Sequence, residues 1–237
     1  MEYCLNKLEN SNIITEPWDH LIIKDFLPAD FYINLISELD TTPQQHRLEK
    51  NIAKQLPAGQ LPAEQLPAGP ATLRTHVVSS KYDIQPKKQY IKNYFNMLQQ
   101  PDIRTSIISK FDISMRKIQN NYNNVGNIQQ GCYDISTIGH KYRVHRDSQN
   151  KLVTMILYLA EEGDDITLGT RIYPPVRDIR SLDWEKDCVK IIPYMPNCLV
   201  IFPSNKHTNK CTNHAMGHAS KKTKFRKTLV TFYPHIR

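Results

Sequence analysis

Short apolar runs separated by turn residues fill the second half of the chain, and this pattern limits the fold more than any other feature. The runs occupy residues 131–135, 142–145, 152–159, 168–173, 188–192, 198–202 and 228–233. About seven or eight short strands at this spacing are typical of a β-sandwich, a jelly roll or a barrel. We therefore expect a β core over residues 128–237.

The first half of the chain predicts two strands and several helices, with the second strand over residues 73–79. Residues 20–23 predict the first strand, and residues 25–39 predict a helix with apolar side chains at helical spacing. Pro28 lies near the start of this helix, where a proline is tolerated. The same spacing predicts helices over 86–100 and 103–111. We expect these helices to pack against one face of a sheet.

A proline-rich repeat interrupts the helical part of the sequence. Residues 55–69 contain three tandem copies of a five-residue unit that begins Gln-Leu-Pro-Ala. A proline in each copy removes a backbone donor and forbids a helix. We expect an extended or disordered insert over about residues 41–72. The predicted organisation is a single domain, 1–237, in which the strand and helices of 13–112 support the β core.

Charge and cysteine content limit the partners and the compartment. The formal net charge is +8, but the lysines are spread along the chain, which favours a solvated surface over a nucleic-acid or anionic-surface partner. The five cysteines include no Cys-x-x-Cys pair, which argues against a disulfide framework or a thiolate zinc site. No apolar run reaches membrane-spanning length, and the first residues lack the order of a signal peptide. We expect a cytoplasmic protein with no membrane partner.

One short motif carries the chemistry of a candidate site. His145 and Asp147 are two positions apart at the predicted end of the 142–145 strand, so their side chains point to the same face. Two histidines and one carboxylate on one side of a metal form the facial arrangement of non-heme Fe(II) oxygenases. A His-x-Asp pair alone is weak evidence, and a surface loop with a salt bridge explains it equally well.

The motif needs a second histidine from a neighbouring strand. The downstream candidates are His207, His214, His218 and His235. His207 follows the 198–202 run directly, and His235 is nearly terminal. His214 and His218 both lie between two predicted strands, and the pattern does not choose between them.

A cation opens the last predicted strand. Arg226 follows both histidine candidates, and a guanidinium that points into the same cavity could bind a carboxylate with two parallel hydrogen bonds. The alternative is a basic cluster, solvated or bound to nucleic acid, formed with Lys221, Lys222, Lys224 and Lys227.

The order of these motifs resembles that of the 2-oxoglutarate- and iron(II)-dependent oxygenases, and within them the prolyl-hydroxylase-like branch. The resemblance covers residues 130–235 and is carried by His145-Arg146-Asp147, 156–159, Leu168-Gly169-Thr170, 196–202, His214-Ala215-Met216 and 226–229. It implies an α+β, mainly β fold: a double-stranded β-helix, or cupin-like jelly roll, with N-terminal supporting helices.

The same resemblance implies the site residues and the cofactors. Fe(II) would be held by His145, Asp147 and a distal histidine, which we assign to His214 with His218 as its competitor. Arg226 would bind the far carboxylate of the cosubstrate 2-oxoglutarate. Two tyrosines, Tyr158 and Tyr133, would assist it. O2 is the second cosubstrate, and ascorbate is an optional reductant.

The implied activity is hydroxylation of a prolyl residue in a protein or peptide, or of a small molecule, with decarboxylation of 2-oxoglutarate to succinate and CO2. Four further residues near the motifs are candidates for substrate contact, although ordinary surface or barrel positions explain them equally well: Arg143, Arg146, Arg171 and Tyr173. Two other functions stay open. One is a basic β-domain that binds nucleic acid, which the lack of interleaved aromatic residues disfavours. The other is a metal-binding member of the fold without catalysis.

Overall fold

The computed structural model describes residues 1–40, 72–79, 89–111, 128, 130–137, 143–148, 150–204, 210–217, 223 and 225–234. These residues form helices and antiparallel sheets, as the sequence predicts. The helices are α1 (Glu2–Glu9), α2 (Ala29–Asp40), α3 (Gln89–Gln99) and α4 (Pro101–Lys110). The strands are β1 (Leu21–Ile23), β2 (Thr72–Ser79), β3 (Gln130–Thr137), β4 (Lys151–Tyr158), β5 (Thr170–Ile172), β6 (Lys190–Ile191), β7 (Cys198–Pro203), β8 (His214–Met216) and β9 (Phe225–Pro234).

Two antiparallel sheets contain these strands. The larger sheet has six strands in the order β1-β7-β4-β9-β3-β2, and the smaller has three in the order β6-β5-β8. Strand β4 lies in the middle of the larger sheet, where Met155 pairs with Ile201 of β7 and with Thr231 of β9. Because successive side chains alternate between faces, the two faces of β4 have different neighbours.

One face of the larger sheet packs against the helices. Met155 and Leu157 of β4 are fully buried on this face, together with Leu199 and Ile201 of β7 and Leu229 of β9. The helices contribute apolar side chains at helical spacing to the same cluster, among them Leu35, Leu39, Ile91, Tyr94, Phe95, Leu98, Ile103 and Ile107. This cluster is the main hydrophobic core of the described chain.

The opposite face of the larger sheet packs against the smaller sheet. A second buried cluster joins Tyr158, Val200 and Phe202 of the larger sheet to Ile172 of β5 and to Tyr194. The residues of β4 that alternate with the core residues point to this side. The space between the two sheets also contains the candidate site described below.

Helix ends in the N-terminal part are set by identifiable contacts. The carboxylate of Glu38 in α2 accepts hydrogen bonds from the backbone N–H groups of Tyr90 and Ile91, both at 2.9 Å. These contacts satisfy donors that the first turn of α3 leaves unpaired and tie α3 to α2. Helix α4 begins with Pro101 in its first turn, as a helix tolerates.

Two sequence predictions need correction, and one helix was not predicted. The strand expected over 142–145 is wrong for the described residues 143–145, where His145 forms only an isolated bridge with His214. The strand expected over 188–192 is reduced to β6, two residues long. Helix α1 was not expected, although it buries Cys4 and Leu8.

Three further predictions concern the insert, the cysteines and the absence of a membrane span. The proline-rich insert expected over about 41–72 lies outside the described residues, except that Thr72 begins β2. The described cysteines Cys4, Cys188, Cys198 and Cys211 are free thiols. Among the helices described, none has the length and apolar character needed to cross a bilayer.

Candidate metal centre and anion pocket

The side chains of His145, Asp147 and His214 converge at one point. His145 and His214 form a backbone bridge in which each N–H donates to the other's carbonyl, at 2.9 and 3.0 Å. Their ring centroids are 4.3 Å apart. Asp147 lies two residues after His145, and one potential ligand atom from each of the three residues lies within 4.8 Å of the other two. The structure thus brings together the motif pair and the distal histidine chosen from the sequence.

Backbone contacts orient both imidazole rings. Nδ1 of His145 lies 3.0 Å from the carbonyl oxygen of Arg143, and Nδ1 of His214 lies 2.9 Å from that of Thr212. A carbonyl oxygen can only accept a hydrogen bond, so each Nδ1 carries the proton. The Nε2 lone pair of each ring is then left for a metal ion, the usual arrangement for histidine ligands.

The electrostatics of the three residues suit a divalent cation. Burial, with a further contribution from His214, lowers the pKa of His145 to about 4. Burial also lowers the pKa of His214. For Asp147, burial alone would raise the pKa, but His214 and Lys151 together with two hydrogen bonds lower it to about 2. At neutral pH the site therefore offers two neutral imidazoles and one carboxylate, a donor set that fits a divalent first-row metal.

Two residues that the sequence did not indicate hold the Asp147 carboxylate. Lys151 Nζ lies 2.6 Å from Oδ1, and Thr154 Oγ1 donates to Oδ2 at 2.5 Å. Thr154 is on β4 with the same alternation as Tyr158, so the period-two pattern could have placed it on the site face. No sequence pattern indicates Lys151, because its role depends on the position of the Asp147 carboxylate in the folded chain.

A single cavity of about 260 Å³ connects this cluster to Arg226, the predicted carboxylate-binding residue. Its walls include His145, Asp147 and His214, the side chains of Arg226 and Thr228 from β9, and further residues among which are Asp134, Arg146, Lys151, Thr154, Ile156 and Thr170. The cavity thus lies between the larger sheet and the smaller one.

Arg226 is a buried cation in this cavity. Its side chain is almost completely enclosed, with the residue 2% exposed. Nε donates to the Leu168 carbonyl at 2.6 Å, and the guanidinium carbon lies 5.7 and 5.6 Å from the ring centroids of Tyr158 and Tyr194. Within the described part of the chain, no carboxylate forms an ion pair with Arg226. A buried guanidinium without a counter-ion is unfavourable, so the pocket around it suits an anion.

The two tyrosines predicted to assist Arg226 have different positions. The Tyr158 hydroxyl donates to Thr170 Oγ1 and accepts from the Thr170 N–H, both at 2.7 Å. Burial, opposed by Arg226, raises the pKa of this hydroxyl to about 12. Thr170 lines the cavity, whereas Tyr158 does not. Tyr133 is on β3 opposite Leu229, and its side chain lies outside the described residues. Tyr194 was missed, because its proline-flanked segment has no periodicity.

Residues next to the ligands fix a neighbouring loop. Arg146 Nε donates to Asn213 Oδ1 at 2.7 Å, and its Nη2 donates to the carbonyls of Val176 and Arg177. Asn213 Nδ2 donates to the Pro174 and Val176 carbonyls, at 2.6 and 2.9 Å. Arg146 and Asn213 therefore hold the 174–177 segment beside the site.

Two other substrate-contact candidates also have structural partners. The Arg171 guanidinium stacks 3.7 Å from the ring centroid of Trp184, and the Tyr173 hydroxyl donates to the Trp184 carbonyl at 2.6 Å. Both residues therefore anchor the segment around Trp184. Neither side chain lines the cavity.

The two described members of the predicted basic cluster are not exposed. Arg226 and Lys227 are both buried, and Lys227 Nζ pairs with Glu161 Oε1 at 2.9 Å. The remaining lysines of the cluster lie outside the described residues, as do three histidine candidates: Lys221, Lys222, Lys224, His207, His218 and His235. Burial of two of its five cations weakens the nucleic-acid alternative, because phosphate contacts require accessible charge.

Comparison with known proteins identifies the fold. No protein-family model and no curated protein matches the sequence. Among solved structures, a prolyl-4-hydroxylase from Pseudomonas putida superposes with a TM-score of 0.53 and 17% identity, covering 99% of this chain and 97% of that chain. AviO1 from Streptomyces viridochromogenes Tue57 gives a TM-score of 0.52 and 13% identity, with coverages of 98% and 93%.

A third structure, from work on prolyl 4-hydroxylases of Phytophthora capsici, gives a TM-score of 0.50 and 13% identity. This chain is covered to 99% and spans 62% of that protein. At these identities the likeness shows the fold alone. The chain shares the fold of prolyl hydroxylases, as the order of its motifs predicts.

Proposed function

We propose that this protein is an Fe(II)- and 2-oxoglutarate-dependent dioxygenase that hydroxylates a prolyl residue or a small molecule. The observation that carries the proposal is one cavity with a His-Asp-His donor set and a buried guanidinium that lacks an acidic partner in the described chain. The similarity of fold to prolyl hydroxylases supports it. We also propose that the two sheets form a double-stranded β-helix, which places such a cavity between them.

In this proposal, His145, Asp147 and His214 hold the iron. Bound iron with 2-oxoglutarate and O2 supplies the oxidation of a substrate C–H bond, coupled to decarboxylation of the cosubstrate to succinate and CO2. The chain contributes the ligand set in its required protonation state. The lowered pKa values of both imidazoles and of the carboxylate keep the site ready for a cation at neutral pH.

Arg226 binds the far carboxylate of 2-oxoglutarate in this proposal. Its Nε is used by Leu168, so the terminal nitrogens of the guanidinium are left to donate to a carboxylate. The Thr170 and Thr228 hydroxyls lie on the cavity wall and can donate to the same anion. Tyr158 then acts through Thr170, whose hydroxyl it positions. Tyr133 stays a proposed contact from β3.

The residues around the cavity mouth position the substrate and exclude water. Arg146 and Asn213 connect the ligand-bearing segments to the 174–177 loop, so this wall of the site is rigid. A rigid wall holds a substrate bond near the metal at a low entropic cost. In this proposal, the substrate is a protein or peptide chain, or a small molecule, that enters along this wall.

Binding and turnover experiments test the proposal. We expect anaerobic Fe(II) to bind the wild-type protein, 2-oxoglutarate to bind the loaded protein, and succinate to form when O2 is admitted with a substrate panel. The His145→Ala and Asp147→Ala variants should lose metal binding and succinate release. Asp30→Ala, an exposed substitution on α2, is the matched control and should retain both.

A substitution of Arg226 tests the end of the cavity that would bind the far carboxylate of 2-oxoglutarate. Loss of a charge-assisted, two-point contact costs about 1.5–3 kcal/mol. Arg226→Met should therefore weaken 2-oxoglutarate binding about 10- to 100-fold while leaving metal affinity nearly unchanged. Succinate release that persists in both His145→Ala and Asp147→Ala would reject the proposal. Binding of 2-oxoglutarate without any decarboxylation would instead indicate a member of the fold that binds metal without catalysis.

A further inference from the structure

Two exposed arginines are attached through their backbones to the segment that carries the candidate metal ligands. The carbonyl oxygen of Arg143 lies 3.0 Å from His145 Nδ1, and that of Arg177 accepts a hydrogen bond from the Arg146 guanidinium. Both arginines are exposed. Within the described residues, neither guanidinium forms a hydrogen bond or an ion pair with another group. Their two positive charges are therefore available to a ligand beside the metal site.

The other described cations around the ligand segment already have partners. Arg146 is held by the three hydrogen bonds described above, and Lys151 Nζ lies 2.6 Å from Asp147 Oδ1. In the loop that follows the 174–177 segment, Arg180 Nε lies 3.2 Å from Asp178 Oδ1. The two arginines of the preceding paragraph are therefore the ones left to contact a ligand.

The 174–177 segment presents an apolar surface next to these charges. Pro175 is exposed, and Val176 is 39% exposed although it is a large apolar residue. Both prolines of the segment lack an N–H, and the Val176 N–H donates to the Pro174 carbonyl at 2.8 Å. The carbonyls of Pro174 and Val176 accept hydrogen bonds from Asn213. The segment therefore has few backbone groups left for strand pairing, and a partner would contact its side chains.

The charges persist when the site is loaded. A divalent metal ion and a dianionic 2-oxoglutarate cancel each other's charge, and the Asp147 carboxylate cancels that of Lys151. Arg143 and Arg177 therefore keep a net positive potential at the entrance, which attracts an anion. Guanidinium groups bind carboxylates with two parallel hydrogen bonds.

The apolar surface decides which anion fits. A polypeptide offers both carboxylates for the two arginines and apolar side chains for Pro175 and Val176. Single-stranded nucleic acid binds by stacking its bases on aromatic rings, and residues 174–177 include none. The combination of charge and apolar surface therefore favours a peptide over a nucleic acid.

We propose that the substrate of this site is an acidic polypeptide segment, whose carboxylates bind Arg143 and Arg177 and whose apolar side chains contact Pro175 and Val176. This inference rests on the proposed function, because it assumes that the ligand at this surface is the one acted on at the metal. It adds that the modified residue is flanked by Asp or Glu. The net charge of +8 speeds the approach of such a segment.

Three matched peptides test the inference. Each is short, has blocked ends and a central proline between leucines, and carries Glu, Gln or Lys on both sides. Calorimetry measures their dissociation constants with protein that holds Mn(II), a redox-stable ion, and 2-oxoglutarate. We expect the Glu peptide to bind about tenfold more tightly than the Gln peptide, and the Lys peptide to bind most weakly. The preference should shrink as salt is added, because exposed charges are screened.

Substitutions at the surface separate its two parts. Arg143→Gln and Arg177→Gln should each weaken the Glu peptide about two- to fivefold, and the double variant about tenfold, with the Gln peptide unchanged. Val176→Ser should weaken the Glu and Gln peptides alike, by about threefold, because it removes an apolar contact. Mn(II) affinity should stay at the wild-type value in all four variants, which a misfolded site would not allow.

Two control variants remove a positive charge elsewhere. Arg180→Gln acts in the same loop on a side chain that already pairs with Asp178. Lys92→Gln acts at an exposed position on α3, on the helix side of the larger sheet. Both should keep the wild-type preference for the Glu peptide.

Equal affinities for the Glu and Gln peptides in the wild type overturn the inference. An unchanged preference in the double variant of Arg143 and Arg177 overturns it as well. Tighter binding of a single-stranded oligothymidylate than of the Glu peptide, lost in the same double variant, overturns it in favour of nucleic acid. The proposed function is judged separately: it fails if Mn(II) and 2-oxoglutarate do not bind, whereas this inference fails alone if they bind and the peptides are not distinguished.

Discussion

A buried histidine outside the candidate site shows how single residues respond to pH. His20 is completely buried, and its Nδ1 lies 2.8 Å from the Trp18 carbonyl. Its ring contacts the Trp18 ring edge-on at 5.3 Å, and Trp18 in turn contacts Phe202 at 5.6 Å. Burial lowers the pKa of His20 below its ordinary value of 6.5. The folded protein therefore keeps this ring neutral where the unfolded chain would protonate it.

The pKa shift predicts a loss of stability in acid that depends on His20. As the pH falls below 6.5, the unfolded state takes up a proton that the folded state does not. The free energy of unfolding should then fall by up to about 1.4 kcal/mol per pH unit for this group. His20→Phe and His20→Gln should both give a shallower dependence than wild type in urea denaturation between pH 5 and 8 without metal. Parallel curves for wild type and both variants would contradict the assignment.

Single residues of the candidate site also differ in how well the sequence predicts them. His145 and Asp147 were visible as a pair two residues apart, and the structure brings them together although the strand that suggested a shared face is not formed at 143–145. His214 was selected by resemblance alone, since nothing local distinguishes it from His218. Lys151 was not visible, because its relation to Asp147 depends on the tertiary position of the carboxylate.

At the scale of elements, one glycine allows the segments next to β5 and β6 of the smaller sheet to approach closely. Gly169 precedes β5, and a Cβ atom built on it would lie 1.5 Å from the carbonyl oxygen of Ile192. The backbones are close because Ile192 N–H donates to the Thr170 carbonyl at 2.9 Å. Thr170 in turn forms the hydrogen bonds of Tyr158. The absence of a side chain at Gly169 therefore maintains the wall of the cavity.

Gly169→Ala should separate these segments and destabilise the protein. Overpacking against backbone costs about 1–3 kcal/mol, and more where the chain cannot move. Gly163→Ala is the matched control: its φ of +88° costs conformational energy, but its Cβ would meet nothing within 4 Å. We expect the control to lose only about 1 kcal/mol. Urea denaturation measures both losses, and an equal or smaller loss in Gly169→Ala would contradict the close approach.

Element prediction succeeded where hydrophobic periodicity is strong. The runs that became β4, β7 and β9 alternate or are continuously apolar, which fixes a strand in the middle of a sheet. The segment before His145 failed as a strand, because its one backbone bridge depends on the distant β8. Helix α1 escaped notice because only two buried apolar side chains mark it. Local pattern thus predicts elements with their own core contacts, and misses those that depend on remote partners.

At the scale of the whole molecule, the larger sheet separates a structural side from a functional side. Its helix-facing side holds the main cluster of buried apolar residues, whereas its other side holds the second cluster and the cavity. The site residues come from β3, β4, β5, β8, β9 and the segment before β4, so they meet only when the chain is folded. A ligand of this site should therefore stabilise the entire fold.

Metal binding should raise the unfolding temperature. A ligand that binds only the native state at 100 times its dissociation constant stabilises it by about 2.7 kcal/mol. For a chain of this size that corresponds to about 5–10 °C. Mn(II) should produce such a shift by differential scanning calorimetry in wild type and Asp30→Ala, and none in Asp147→Ala. Equal shifts in all three proteins would show that Mn(II) binds elsewhere.

The backbone bridge between His145 and His214 has a consequence for engineering. Reciprocal amide contacts at 2.9 and 3.0 Å set the separation of these two α-carbons independently of the side chains they carry. Replacement of either imidazole by a thiolate, an amide or a second carboxylate would leave this backbone bridge in place and present the new donor from the same α-carbon. The protein is accordingly a suitable framework for redesigning metal preference one donor at a time.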